Sequence, residues 1–234
     1  MATNDTAPEN VDSLINRDDG RKYWESVDAT VDAMLGGLPH VSRVEIRGSR
    51  NFLAKLGIGS KPGQRVVASA LEGGAGIGRV TEGLLLDGIA QNVDVIEPIA
   101  KFTAELQGRP GVRSIFTMGL EDWRPSHGVQ YDLIWVQWCA GHLTDEQLVQ
   151  FLERCKSTLN PDGGVIVFKE NNSTAGEDMF DHVDSCVTRH DNSFRRCFGA
   201  AGLRIIQTEL QKGLQNTGVA LLPVRMYALR PTQP

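Results

Sequence analysis

The sequence predicts an open α/β sheet whose first strand ends in a nucleotide-type pocket, and two stretches carry that prediction. Residues 65–79, RVVASALEGGAGIGR, read as a short buried strand over 66–71 that ends in an acid, Glu72. A glycine turn follows, Gly73-Gly74-Ala75-Gly76-Ile77-Gly78, and an amphipathic helix begins near Arg79. Repeated glycines let the backbone turn tightly and let a ligand lie directly on it. The helix N-terminus behind such a turn offers free N–H groups. Residues 131–136, YDLIWV, are the second stretch. They are continuously apolar, as a strand covered on both faces must be.

The glycine spacing selects the ligand class. A dinucleotide fingerprint is G-x-G-x-x-G, and read from Gly74 its third glycine falls on Arg79. The spacing here is G-x-G-x-G behind an acidic residue. That pattern is similar to motif I of the S-adenosylmethionine-dependent methyltransferases. A sulfonium cofactor has no pyrophosphate and does carry positive charge, so an acidic strand end suits it.

Bulk properties narrow the class further. The chain has 234 residues, enough for one sizeable α/β domain with an N-terminal extension. Hydrophobic content of 41% and charged content of 23% are ordinary for a soluble globular protein. No apolar run is long enough to span a bilayer, and no membrane partner is expected. A net charge of −5 argues against nucleic acid as a partner, because phosphate binding needs a basic footprint. The N-terminus is polar and acidic, unlike a secretory signal. Cys139, Cys155, Cys186 and Cys197 lack C-x-x-C spacing, so no metal is expected. Such scattered cysteines suit a reducing compartment, the cytoplasm or nucleus.

In chain order, residues 1–20 read as a disordered tail, 21–60 as a helical extension or lid, and 61–234 as the catalytic domain. Tyr23, Trp24, Val27, Val31, Met34 and Leu35 fall near helical spacing, and Gly36-Gly37 with Pro39 ends that helix. A second helix is expected over 49–56. The extension either caps the sheet edge or closes on substrate, with Gly36-Gly37 as the flexible loop. After the glycine turn a helix is expected over 80–90, then a strand over 92–96 that ends at Glu97. An acid there hydrogen-bonds ribose hydroxyls in α/β nucleotide sites, and Glu97 lies 19 residues after Gly78. Pro98 is expected to start a helix running to about Gly108.

The third strand is expected over 112–117, and Gly119 to Trp123 would then lie beside the adenine. After the fourth strand, Thr144 and Gln147 form a capping box for a helix that runs to Leu159 and buries Leu148, Phe151, Leu152 and Cys155. Leu159-Asn160-Pro161-Asp162-Gly163-Gly164 turns into a fifth strand over 165–168, a second methyltransferase-like feature. A polar segment holding Asp178, Asp181 and Asp184 follows. Asp191 is expected to cap a helix to about Ala201, with Gly202 beyond it. Segments 203–208 and 225–229 are the last strands, joined through a hairpin loop over 211–218. There is no internal repeat, low-complexity tract or second domain.

Chemistry in such a sheet sits outside the carboxyl ends of the strands. The candidates are Trp138 and His142 after the fourth strand, Asn171, Asp181 and Asp184 after the fifth, and Tyr23 and Trp24 from the extension. An amine must lose its proton before it attacks a sulfonium methyl, which requires a histidine or carboxylate. Each candidate also has a plain structural reading: His142 at a helix start, Asp181 and Asp184 on a solvated helix face, Trp138 in the core.

Four stretches together resemble the eukaryotic protein α-N-terminal methyltransferases: EGGAGIGR (72–79), YDLIWVQWCAGHLTD (131–145), KEN (169–171) and FDHVDSCV (180–187). These enzymes act on proteins whose exposed N-terminus reads Xaa-Pro-Lys or Xaa-Pro-Arg. The likeness runs from Tyr23 to Arg230. It implies a Rossmann-like, seven-stranded class I methyltransferase sheet with an N-terminal helical extension. It implies S-adenosyl-L-methionine as cofactor, with S-adenosyl-L-homocysteine as product, held by Gly74, Arg79, Glu97, Leu120, Glu121 and Gln137. Asn171 would fix the first residue of the substrate, and Asp181 and His142 would hold and deprotonate the α-amine. Trp138 and Trp24 would bracket the proline. Asp181 and Asp184 would attract the Lys or Arg. Leu35 and Val41 would sit on the closing loop. A monomer is expected.

The sequence departs from that family at three places. Glu97 stands for the usual Asp, Cys186 for a serine, and Glu72-Gly73 for Asp-Cys. Two rivals remain at this level: a small-molecule amine methyltransferase of the same fold, and a catalytically silent scaffold.

Overall fold

The computed structural model describes residues 10–214 and 218–232. Seven strands form one sheet: β1 Val67–Gly73, β2 Ala90–Ile96, β3 Val112–Phe116, β4 Leu133–Gln137, β5 Val165–Asn171, β8 Leu203–Leu210 and β9 Val224–Pro231. Their order is β3-β2-β1-β4-β5-β9-β8, parallel except for β9, which runs antiparallel to both neighbours. The order reverses between β1 and β4, so the two strand ends diverge there and leave a crevice. A separate hairpin, β6 Met179–Asp181 with β7 Cys186–Thr188, follows β5.

The sheet is buried on both faces, and each face explains a stripe of sequence. One side packs Ile134, Val136, Ile166 and Phe168 under α4 (Asp145–Ser157) and α5 (Asp191–Ala200). The other packs Val67, Val93, Trp135 and Val167 under α3 (Val41–Lys55) and the short π-helical segment Thr81–Leu85. β4 is fully buried along its length. The Thr144–Gln147 capping box is formed, and α4 buries Leu148, Phe151, Leu152 and Cys155 as expected.

Several expected helices differ. The tail expected through residue 20 gives way to a 3-10 turn over Val11–Leu14 and to α1 (Arg17–Ser26), capped by the Asn16 side chain, which accepts from Asp18 and Asp19 N–H. Residues 1–9 lie outside the described chain. The single helix expected over 23–35 is two, because Thr30 caps a new one, α2 (Val31–Met34). The helix expected from 49 starts at Val41, since its buried face carries the polar Glu45 and Ser49. The helix expected over 80–90 stops near Leu85, turned by Gly88 at φ 80°, which leaves Ala90 to open β2. No helix follows Pro98. That stretch is a series of turns with a 3-10 segment over Ala104–Leu106, because Ile99 and Phe102 face the cavity below and not the sheet. His190, not Asp191, caps α5. The loop expected over 211–218 includes 215–217, outside the described residues.

Candidate active site

The ends of β1, β2 and β4, the turn after β3 and the N-terminal helices enclose one cavity. The side at the glycine turn is made largely of backbone. Gly74 has φ 70°, and a Cβ there would stand 2.4 Å from Cys139 Cβ, so no other residue fits without movement. Gly74 and Ala75 N–H both donate to Ile96 O, at 2.9 and 3.1 Å. Glu97 holds the turn: its Oε2 accepts from Gly76 N–H at 2.8 Å and its Oε1 from Ile99 N–H at 2.9 Å. Burial nevertheless raises its carboxyl above the ordinary value.

Glu72, at the end of β1, is buried and takes a 2.5 Å hydrogen bond from Thr81 Oγ1. Burial pushes its carboxyl up to about 8, so it is mainly protonated at neutral pH. Gln137 Oε1 accepts from Trp135 Nε1 at 3.0 Å, while its Nε2 is buried, lines the cavity and lacks a protein partner. Leu120 and Glu121 line the same side from the turn after β3. Glu121 Oε1 pairs with Arg17 Nε of α1 at 2.8 Å.

The opposite side of the cavity is made of side chains. Trp138 has φ 52°, a left-handed backbone that is strained for a bulky residue. Its ring lies under the Arg79 guanidinium at 5.7 Å, and its Nε1 is buried without a partner. His142 Nε2 accepts from Trp24 Nε1 at 3.0 Å, which places the ring proton on Nδ1. Asp184 Oδ2 stands 3.9 Å from the same Nε2, and Asp184 Oδ1 is buried and unpartnered. Burial lowers the His142 pKa against the opposing pull of Asp184 and the Ser185 backbone, so the imidazole is neutral near pH 7.

The structure therefore brings the six expected cofactor residues, Gly74, Arg79, Glu97, Leu120, Glu121 and Gln137, to one cavity. Trp24, Leu35, Trp138 and His142 line it as well. Asp184 joins through His142. Asn171 ends β5, half-buried and paired with Val224, outside the lining. Asp181 lies on the hairpin opposite Cys186, exposed, its Oδ1 accepting from Val183 N–H at 2.8 Å. The solvated helix considered for Asp181 and Asp184 is absent: both sit in the β6–β7 hairpin region. Val41 is buried at the start of α3 in a cluster that includes Leu35 and Trp138.

Two groups of residues escaped the sequence reading. Lys169, in β5, is fully buried, with Nζ donating to Glu45 Oε1 at 2.6 Å, Ser49 Oγ at 2.8 Å and Gln211 Oε1 at 3.1 Å. Burial lowers its ammonium to about 8, and Glu45 opposes that fall. Glu45 is held below the carboxylate norm, because Lys169 and Arg79 together outweigh its burial. Glu170, next to Lys169 in β5, accepts from Cys139 and Ala140 N–H at 2.8 and 2.9 Å and so shapes the loop that carries Trp138 and His142. The available signal was two adjacent charges, Lys169-Glu170, at the end of an apolar strand.

A seven-stranded sheet with β9 reversed, a glycine turn after β1 and an acid at the end of β2 defines an S-adenosylmethionine-dependent methyltransferase. The sequence profile of one family, described as AdoMet-dependent proline di-methyltransferases, matches residues 12–230, and the chain belongs to that family. Among its relatives, the Schizosaccharomyces pombe alpha N-terminal protein methyltransferase 1 is 43% identical over 217 residues, 91% of this chain and 95% of that one. The human N-terminal Xaa-Pro-Lys N-methyltransferase 1 is 39% identical over 215 residues, 90% of this chain and 93% of that one. A solved S-adenosylmethionine-dependent methyltransferase from Leishmania major superposes with a TM-score of 0.79 at 37% identity, covering 92% of this chain and 82% of that one. The protein is thus an enzyme that uses S-adenosylmethionine. Among the described residues no helix is long and apolar enough to cross a membrane.

Proposed function

We propose that the enzyme methylates the free α-amine of proteins that begin Xaa-Pro-Lys or Xaa-Pro-Arg once the initiator Met is gone. The observation that carries this reading is His142: a half-buried, neutral imidazole held by the Trp24 indole, with the Asp184 carboxylate 3.9 Å from the same nitrogen, in the lining of the cavity behind the glycine turn. The names of the relatives, alpha N-terminal protein methyltransferase and N-terminal Xaa-Pro-Lys N-methyltransferase, agree with it. Its four free cysteines suit work in the cytoplasm or nucleus.

The donor set fits the cofactor. Gly74 lets the turn pack against Cys139 at the cavity wall, Gln137 Nε2 is an orphaned donor, and Glu97 keeps lone pairs for ribose hydroxyls. Arg79 offers a cation to the amino-acid carboxylate. When bound, S-adenosylmethionine supplies an electrophilic methyl carbon whose bond to sulfur is exchanged for one to nitrogen.

The chain's own residues prepare the amine. An α-ammonium group has a pKa of about 8, so much of it is protonated at neutral pH. His142 Nε2 accepts that proton once Trp24 Nε1 releases the lone pair, and the Asp184 carboxylate stabilises the imidazolium that forms. Trp138 and Trp24 present aromatic faces to the proline. Asn171 holds the first residue, and Asp181 and Asp184 attract the basic third residue. Leu35 and Val41 belong to the segment that closes over it.

The test incubates the full chain with S-adenosylmethionine and a hexapeptide starting Ser-Pro-Lys, followed by mass spectrometry. Methyl mass increments on the peptide N-terminus are expected. An unmodified peptide alongside a methylated small amine would overturn the reading in favour of a small-molecule enzyme.

A further inference from the structure

Of the buried charges beneath Trp138, Glu45 and Lys169 have no role in the chemistry above, yet they tie α3 and β5 to the glycine turn. Glu45 and Ser49 come from α3, Lys169 from β5, Gln211 from the end of β8 and Arg79 from the glycine turn. One carboxylate, Glu45, serves two cations: Oε1 takes Lys169 and Oε2 takes Arg79. Both cations also lie against one ring, Trp138, at 5.7 Å for Arg79 and 5.9 Å for Lys169. Trp138 N–H in turn donates to Lys169 O at 3.1 Å. Within this cluster two cations, Lys169 and Arg79, share the one carboxylate of Glu45, and the excess is one positive charge.

That excess has one outlet. Lys169 is 0% exposed, whereas the Arg79 side chain is 11% exposed and lines the cavity. Burying an unbalanced cation is costly, and an incoming carboxylate would restore neutrality. The length and planarity of an arginine also leave it mobile unless something fixes its fork. We propose that Glu45 and Lys169 are positioning residues that aim Arg79 at the cofactor's amino-acid carboxylate and seat Trp138 over the substrate side. This inference rests on the assignment of Arg79 to that carboxylate.

The test compares two ligands on the full-length protein by titration calorimetry. S-adenosylhomocysteine carries the carboxylate, and 5′-methylthioadenosine lacks it. Glu45→Gln keeps the shape of the side chain and makes the cluster no less positive. Charge alone would therefore leave carboxylate binding unchanged or tighter, whereas lost positioning weakens it. We expect about a tenfold loss for S-adenosylhomocysteine and little change for 5′-methylthioadenosine, the size expected of coupled contacts. Lys169→Met, which leaves the Glu45–Arg79 pair intact but unanchored, should show the same selective loss. Equal losses for both ligands, or no loss in either, would overturn the proposal. Arg79→Met separates the two layers. If it spares S-adenosylhomocysteine, the assignment of Arg79 fails and takes the network with it. If it weakens S-adenosylhomocysteine while Glu45→Gln does not, the network alone fails.

Discussion

On the cofactor side of the cavity the polar groups are already placed: Glu97 braces the glycine turn through two backbone N–H groups, and Gln137 Nε2 stands free. On the substrate side the groups that would act are engaged elsewhere or stand apart. Trp24 occupies the His142 lone pair, Asp181 bonds its own hairpin, and Asn171 lies outside the lining. The first side is built from strand ends and main chain, which the sheet fixes. The second is built from side chains on α1, on the loop after β4 and on the β6–β7 hairpin. On the proposed reading, His142 becomes available as a base only when substrate displaces Trp24.

The strongest way to break this contrast is on the fixed side. Gly74→Ala forces a Cβ into Cys139 at a φ that L-residues avoid. Affinity for S-adenosylhomocysteine should fall roughly a hundredfold by calorimetry, since a displaced turn misplaces every donor on it. A variant that binds normally would mean the turn is not the cradle.

Next comes the side built of side chains, where the effect should fall on rate. His142→Ala should lower kcat on a Ser-Pro-Lys peptide by about a hundredfold, within the usual range for a lost general base, and leave cofactor affinity intact. The pH optimum should move up, toward the range where the free amine predominates without help. An unchanged profile would count against a base at this position.

The aspartates sharpen the contrast further. Asp184→Asn removes a charge that favours the imidazolium, so the acid limb of kcat/KM should move to lower pH as rate falls about tenfold. Asp181→Asn should cost transfer and spare cofactor affinity. A collapse of cofactor binding in Asp181→Asn would place that carboxylate on the other side of the cavity.

The same division explains what could be read from sequence. Strand β4 is apolar up to Gln137, the Thr144 capping box is local, and the glycine turn is contiguous, so the sheet and the turn at its first strand were legible. Helix α3 was truncated in the reading because its core face carries Glu45 and Ser49, whose partner Lys169 lies 124 residues from Glu45. Pro98 suits the first position of a helix, but Ile99 and Phe102 serve the cavity and the stretch after it forms turns instead. Polar burial depends on partners from distant sequence, and one-dimensional patterns do not encode those.

Glu72 gives the smallest expected effect and bears on the fixed side alone. Its carboxyl is raised from 4.5 to about 8 in the folded protein, mainly by burial. Below the unfolded value both states carry the proton, and its contribution to stability is complete. Between the two values the unfolded chain releases that proton and the folded chain keeps it, so stability falls as pH rises through this window. Glu72→Gln has no proton to lose. Its melting temperature should therefore lie near that of the parent at pH 5 and above it at pH 8, measured without cofactor. If the difference between the two proteins is the same at both values, Glu72 is ionised in the fold, and the glycine turn faces a fixed negative charge instead of a neutral acid.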